Sequence, residues 1–168
     1  MTATLAPTPS PKRTASKVEP AASISRHTVF RRNQQFFGLT IKLVREVLSG
    51  QPLTRVARAQ EQILGVLSLR GEILPVVVID RWLGLPSSPD DLNSPILVLR
   101  DADFLVGLRV DAIQSVVNVP QTEVQPHPAA GDDTLLSGIW HRAGQPPITL
   151  IDGMALIEAL CHQNAPNS

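Results

Sequence analysis

Residues able to do chemistry are few in this chain, and they are scattered. The four histidines, His27, His127, His141 and His162, stand apart, and none has Cys, Asp or Glu at metal-ligand spacing. The single cysteine, Cys161, lies in a C-terminal apolar-periodic segment and reads as a small buried hydrophobe rather than a nucleophile. No phosphate-cradling G-x-x-x-x-G-K or G-x-G-x-x-G occurs. Asp111 defaults to a solvated carboxylate. The pattern offers no catalytic constellation, no metal site and no cofactor site, so an enzyme is not expected. What remains are individual charges, above all Glu46 and Arg70, whose meaning depends on the elements that carry them.

Those elements are organised around residues 63–84. Two apolar runs, 63–69 and 73–79, flank Arg70-Gly71-Glu72, which predicts a β-hairpin with a short Gly-containing turn. Continuous apolarity predicts burial on both faces. Pro75 cannot donate a ladder hydrogen bond and is expected at a strand start or on an edge. The design recurs: Pro75 precedes Asp80 as Pro147 precedes Asp152, and Gly65 and Gly71 are answered by Gly138 and Gly144. Upstream, Gly38-Leu39-Thr40-Ile41 with Val44 and Val47 matches Gly107-Leu108-Arg109-Val110 with Ile113 and Val116. The offsets are 69 for the earlier element and 72 or 73 for the hairpin, so the chain carries an internal duplication. A module of roughly 70 residues is marginal alone, so the copies are expected to pack closely or to interleave strands.

Residues 1–25 lack apolar periodicity and are expected to be a disordered tail ahead of a domain over 26–163. The first subdomain is assigned to about 26–90 and the second to about 91–163, separated by the proline-rich loop 86–95. Hairpins are predicted around residues 32–34 and 101–103, and a short strand at 53–56. Residues 41–48 are compatible with a helical turn or two; the stretch is too short for periodicity to decide. Asp80 is a candidate cap for a short helix at 81–85. A final helix is predicted at 153–160, capped by Asp152. The fold class is therefore all-β, two similar small β-barrel subdomains with a short C-terminal helix.

Composition narrows the function further. Fifteen Lys and Arg balance fifteen Asp and Glu, so no sequence-wide field points to nucleic acid or an anionic membrane. Four Phe, two Trp and no Tyr leave little for a base-stacking surface, and the phenylalanines fall in strand runs as expected core. No apolar run is long enough to span a bilayer, so no membrane insertion is expected. One cysteine fits a reducing compartment. An interaction module is the leading class. A duplicated small barrel that binds nucleic acid or another ligand is the alternative. The copies differ where it matters: Glu46 takes the place of Ser115, and Arg70 has only Arg142 or Ala143 as an imperfect counterpart. A duplication explains shared glycines and apolar positions; it does not explain charges on one copy.

The stretch G-V-L-S-L-R-G-E-I-L-P-V, from Gly65 to Val76, resembles the G-V-x-N-L-R-G-x-I-x-P-V signature of CheW-like chemotaxis coupling proteins. The likeness runs over residues 29–160 and includes V-R-E-V at 44–47, G-L-R-V-D at 107–111 and the closing L-I-D-G-M-A-L-I. It implies two five-stranded β-barrels with an apolar core between them. It also implies a non-catalytic cytoplasmic adaptor in a two-component array serving chemotaxis, phototaxis or motility. The implied partners are the cytoplasmic hairpin tip of a chemoreceptor and the regulatory domain of a CheA-like histidine kinase. The receptor groove would involve Val44, Glu46, Gly65 and Arg70 from the first copy and Gly107, Val116 and Gly138 from the second. Glu46 and Arg70 would be close in space, and the glycines would admit a partner helix. The chain departs from the family pattern at Ser68, where Asn is usual, and at Val78 and Asp80, where the usual P-V-x-D-L-R has Asp and Arg.

Overall fold

The computed structural model describes residues 23–131 and 134–163. Most of the expected tail lies outside them. The first strand, β1 (Ile24–Arg32), begins two residues before the expected domain start. It is followed by β2 (Gln35–Thr40), β3 (Val44–Leu48), β4 (Ile63–Leu69), β5 (Glu72–Val77), β6 (Ile96–Asp101), β7 (Phe104–Arg109), β8 (Ala112–Pro120), β9 (Val124–Pro126), β10 (Leu136–Trp140), β11 (Ile148–Ile151) and α1 (Gly153–Gln163). The β1–β2 and β4–β5 hairpins close on left-handed pairs, Asn33-Gln34 (φ 49 and 64) and Arg70-Gly71 (φ 50 and 81). That is the turn whose twist matches paired strands.

Two sheets form, ordered β8-β1-β2-β11-β10-β9 and β3-β6-β7-β5-β4. Under the duplication β1–β2 corresponds to β6–β7, β3 to β8, and β4–β5 to β10–β11. The two orders are then the same, with a parallel contact at β2·β11 and at β5·β7. The added β9 makes the first sheet six-stranded. The expected division near residue 90 is not how the strands associate. The first sheet takes residues 24–40 together with 112–151, and the second takes 44–109. Each copy gives its leading hairpin to the other, so strand edges that a lone module would expose are paired across the repeat.

Each sheet encloses its own core. Val29, Val119, Trp140, Ile148 and Leu150 fill the first, and Leu74, Val76, Ile96 and Val98 the second. A larger cluster joins them, with Phe30, Phe37, Leu39, Val77, Leu99 and Leu108 meeting Leu156, Ile157 and Leu160 of α1. The Asp152 carboxylate caps α1 by accepting from the amides of Met154 (3.0 Å) and Ala155 (3.1 Å).

Several local expectations change. Residues 44–48 are strand, and 53–56 contributes only the bridge Thr54–Val66. Residues 81–84 form turns rather than a helix. Cys161 is exposed, because it follows the last buried turn of α1. The central hairpin is not buried on both faces: Ile73 is 74% exposed. Pro75 lies inside β5, between two strands. Val66 exchanges both backbone bonds with Thr54 (2.9 Å each), so Val66–Pro75 is a non-hydrogen-bonded pair. The Pro75 nitrogen faces β7, where the ladder begins only at Val76, so its missing N–H leaves nothing unpaired.

Candidate partner-binding site

Strands β3 and β4 are opposite edges of the second sheet, yet side chains join them. Arg70, in the turn after β4, donates Nη1 to Glu46 Oε1 (2.9 Å) and Nη2 to Oε2 (3.0 Å). Glu46 follows a bulge in β3 that interrupts the pairing with β6 between Val44 and Glu46. The Glu46 side chain is 21% exposed and that of Arg70 65%. The expected proximity of this pair is therefore present, in the two-pronged geometry to which a guanidinium is suited.

The pair belongs to a larger network that sequence reasoning missed. Arg45 Nε lies 3.6 Å from Glu46 and its Nη1 donates to Glu72 Oε2 (3.3 Å). Arg100 Nη2 donates to both Glu72 oxygens (2.8 and 3.0 Å). The Arg45 hydrogen bond, then Arg100, holds the Glu72 carboxyl below its usual range. Arg45 and Glu72 sit inside the motifs V-R-E-V and L-R-G-E. The groups lie 27 and 28 residues apart in the chain, and the contact emerges only once the sheet folds the start of β5 over β3 and the end of β6.

Magnitudes bear on the purpose of Arg70. A non-glycine residue in the left-handed region costs about 1–2 kcal/mol, whereas an exposed ion pair returns about 0–1 kcal/mol. Stability alone does not favour arginine over the Asn-Gly that such a turn prefers.

The other expected site residues divide. Val44 is half-buried, packed against the joining core, and Val116 is 50% exposed on β8, an edge of the first sheet. The three glycines are buried, and the expectation that they admit a partner is corrected: the protein's own chain fills the space. A Cβ on Gly65 would stand 2.7 Å from the Thr54 carbonyl oxygen. One on Gly107 would stand 2.6 Å from Ile96 Cγ2 in the second core. One on Gly138 would meet Val124 Cγ1, with the Gln125 carbonyl oxygen at 3.0 Å.

A second ionic cluster, buried where the sheets meet, fixes their relation. Arg32, closing β1, donates Nε and Nη2 to the Asp80 carboxylate (2.6 and 2.7 Å) and Nη1 to Asp111 (3.0 Å). Asp111 also accepts from the Asn33 amide (2.7 Å). The Asp80 hydrogen bond raises the Arg32 pKa. Asp80 is thus a buried counter-ion rather than a helix cap, and Asp111 is a bound carboxylate rather than a solvated one.

Residues 26–161 match the family model described as a CheW-like domain. The chain belongs to the CheW-like family. It is 34% identical over 104 residues to Chemotaxis protein CheW of Rhizobium meliloti (62% of this chain, 67% of the relative). It is 26% identical over 132 residues to Protein FrzA of Myxococcus xanthus (77% and 82%). A crystal structure of the scaffolding protein TtCheW from Thermoanaerobacter tengcongensis superposes with a TM-score of 0.66 at 25% identity, covering 77% of this chain and 89% of that one. This CheW-like chain is accordingly an adaptor of chemotaxis-type signalling. The L-R-G signature ends β4 and forms its turn. The shifted acid of this CheW-like sequence, Asp80, has a structural partner in Arg32. Among the described residues no helix is long and apolar enough to cross a membrane.

Proposed function

We propose that this chain couples the cytoplasmic hairpin tip of a methyl-accepting chemoreceptor to the regulatory domain of a CheA-type histidine kinase. It works in the cytoplasm at receptor arrays on the inner membrane and catalyses no reaction itself. The observation that carries this reading is Arg70, held two-pronged on Glu46 in a backbone conformation that stability alone does not favour. Recognition is of the helix-in-groove kind, with Val44 and Val116 supplying apolar surface and Arg70 fixing orientation. Gly65, Gly107 and Gly138 support this surface from behind by letting the protein's own segments pack closely. The likeness to FrzA keeps motility control beside chemotaxis among the outputs such an array can serve.

The direct test is calorimetric titration of the full chain with a soluble receptor hairpin and, separately, with a CheA regulatory domain. Binding to both is expected at low salt. Arg70→Ala should weaken the receptor complex by roughly tenfold while the thermal transition stays in place. Failure of the wild-type chain to bind either partner would overturn the adaptor reading. Equal affinity of Arg70→Ala and wild type would remove Arg70 from the interface.

A further inference from the structure

Beside the Glu46–Arg70 pair the surface dips into a shallow depression of about 330 Å³, lined by Lys42, Leu43, Val44, Arg45 and Arg100. The Arg100 amide donates to the Leu43 carbonyl (2.9 Å), which stitches the end of β6 to the approach to β3 and sets the three cations around one hollow. Glu72 occupies only part of their bonding capacity. It takes Nη1 of Arg45 and Nη2 of Arg100. Nη2 of Arg45, Nη1 of Arg100 and the Lys42 ammonium have no partner among the described residues. Asp101, next along β6, alternates to the other face of the strand. Counting Lys42, Arg45 and Arg100 against Glu72, the hollow carries a surplus of two positive charges in a chain whose formal net charge is zero.

We infer that this hollow receives a carboxylate from the partner helix, so that the receptor segment crossing β3 carries an Asp or Glu seated among Lys42, Arg45 and Arg100. The inference rests on the adaptor reading and adds the chemistry of the partner to it. Free guanidinium and ammonium donors around an apolar floor of Leu43 and Val44 suit a charged side chain whose stem packs while its head is bound. Glu72 then acts as a positioning residue. It holds one nitrogen of each arginine and leaves Nη2 of Arg45 and Nη1 of Arg100 available to a partner's carboxylate.

Lys42→Glu tests this most cleanly, because the Lys42 side chain holds nothing in the fold. The full chain and a soluble receptor hairpin are titrated calorimetrically at about 50 and 200 mM salt. Lys42→Glu should bind roughly three- to tenfold more weakly at low salt, with a flatter salt dependence and an unchanged thermal transition. Glu→Lys and Asp→Lys scanning of the hairpin should find one position that restores binding to Lys42→Glu and weakens binding to wild type. Affinity of Lys42→Glu equal to wild type at low salt would overturn the inference while leaving the adaptor reading intact. So would inorganic phosphate that binds wild type as tightly as the hairpin does and is weakened as much by Lys42→Glu, since the hollow would then be a simple anion site. A wild-type chain that binds no hairpin would bring down the adaptor reading and this inference together.

Discussion

Arg32 is the residue whose removal should cost the fold most. Its guanidinium is 3% exposed and spends three donors on two carboxylates, of which Asp80 is itself only 5% exposed. Truncation to alanine leaves the Asp80 charge in the interior with no cation beside it. Breaking one side of a buried pair costs about 3–5 kcal/mol, a large part of the 5–15 kcal/mol that holds a typical domain together. For a chain of this size that corresponds to a melting point lower by roughly 6–20 °C. Urea denaturation followed by circular dichroism at neutral pH measures it. The loss has a signature that plain cavity formation lacks. Arg32→Met combined with Asp80→Leu removes the charge together with its partner and should recover much of the stability. Asp111 tolerates this because it stays half-exposed and keeps the Asn33 amide. A loss below about 1 kcal/mol in Arg32→Ala would show that the cluster behaves as a hydrated surface pair, and the reasoning would fail. Because Arg32 belongs to the first sheet and Asp80 follows the second, the single variant should also speed amide exchange around residues 79–85 before the sheet interiors respond.

Two other perturbations probe separate layers of the structure. Gly65→Ala places a methyl group 2.7 Å from the Thr54 carbonyl oxygen and 2.9 Å from Leu53 Cβ. It should destabilise by roughly 1–3 kcal/mol through displacement of the 53–54 segment, and unchanged urea stability would refute the close approach. His27 is buried on β1, and burial lowers its pKa against a weaker opposing contact to the Ser25 carbonyl. The folded state therefore holds the neutral form, and the stability His27 contributes is present above the unfolded pKa of about 6.5 and is lost as pH falls below it. His27→Gln should flatten the decline of stability from about pH 6.5 downward, and an acid limb of unchanged slope would contradict the assignment.

The duplication was legible because it is written in residue types that answer to local geometry. Gly65 and Gly138 both lie under a neighbouring segment of the chain, Thr54 in one case and Val124 with Gln125 in the other. The exchange of hairpins was not legible. The 35–40 pattern has the same alternation whether β2 lies beside β11 or beside its own repeat's hairpin, so periodicity cannot choose the partner. Glu46 and Arg70 stood out as charges carried by one copy, and the L-R-G likeness joined them. Arg32, Asp80 and Asp111 were hidden for a different reason: 48 and 79 residues separate the bonded groups, and each has an ordinary local role as turn residue, cap or surface acid. Charged residues carry no periodic signature of burial, so their pairing emerges only once apolar packing has set the strands.

The imperfect symmetry of the two sheets has a functional edge. A body built from two like halves offers two like faces, and a helical partner complementary to one would meet the other equally well. The turns that correspond under the duplication have diverged in a way that prevents this. In the second sheet the turn arginine, Arg70, reaches outward to Glu46 beside a hollow with free cationic donors. In the first sheet Arg142 lies 5.4 Å from the centre of the Trp140 ring, and the Trp140 indole nitrogen donates to Glu123 (2.9 Å). There the cation is spent on an aromatic face within its own hairpin, and Ser115 offers no carboxylate in the place of Glu46. The two sheets thus keep a common frame while their corresponding turns differ: a carboxylate-paired arginine beside free cationic donors in one, a ring-stacked arginine in the other.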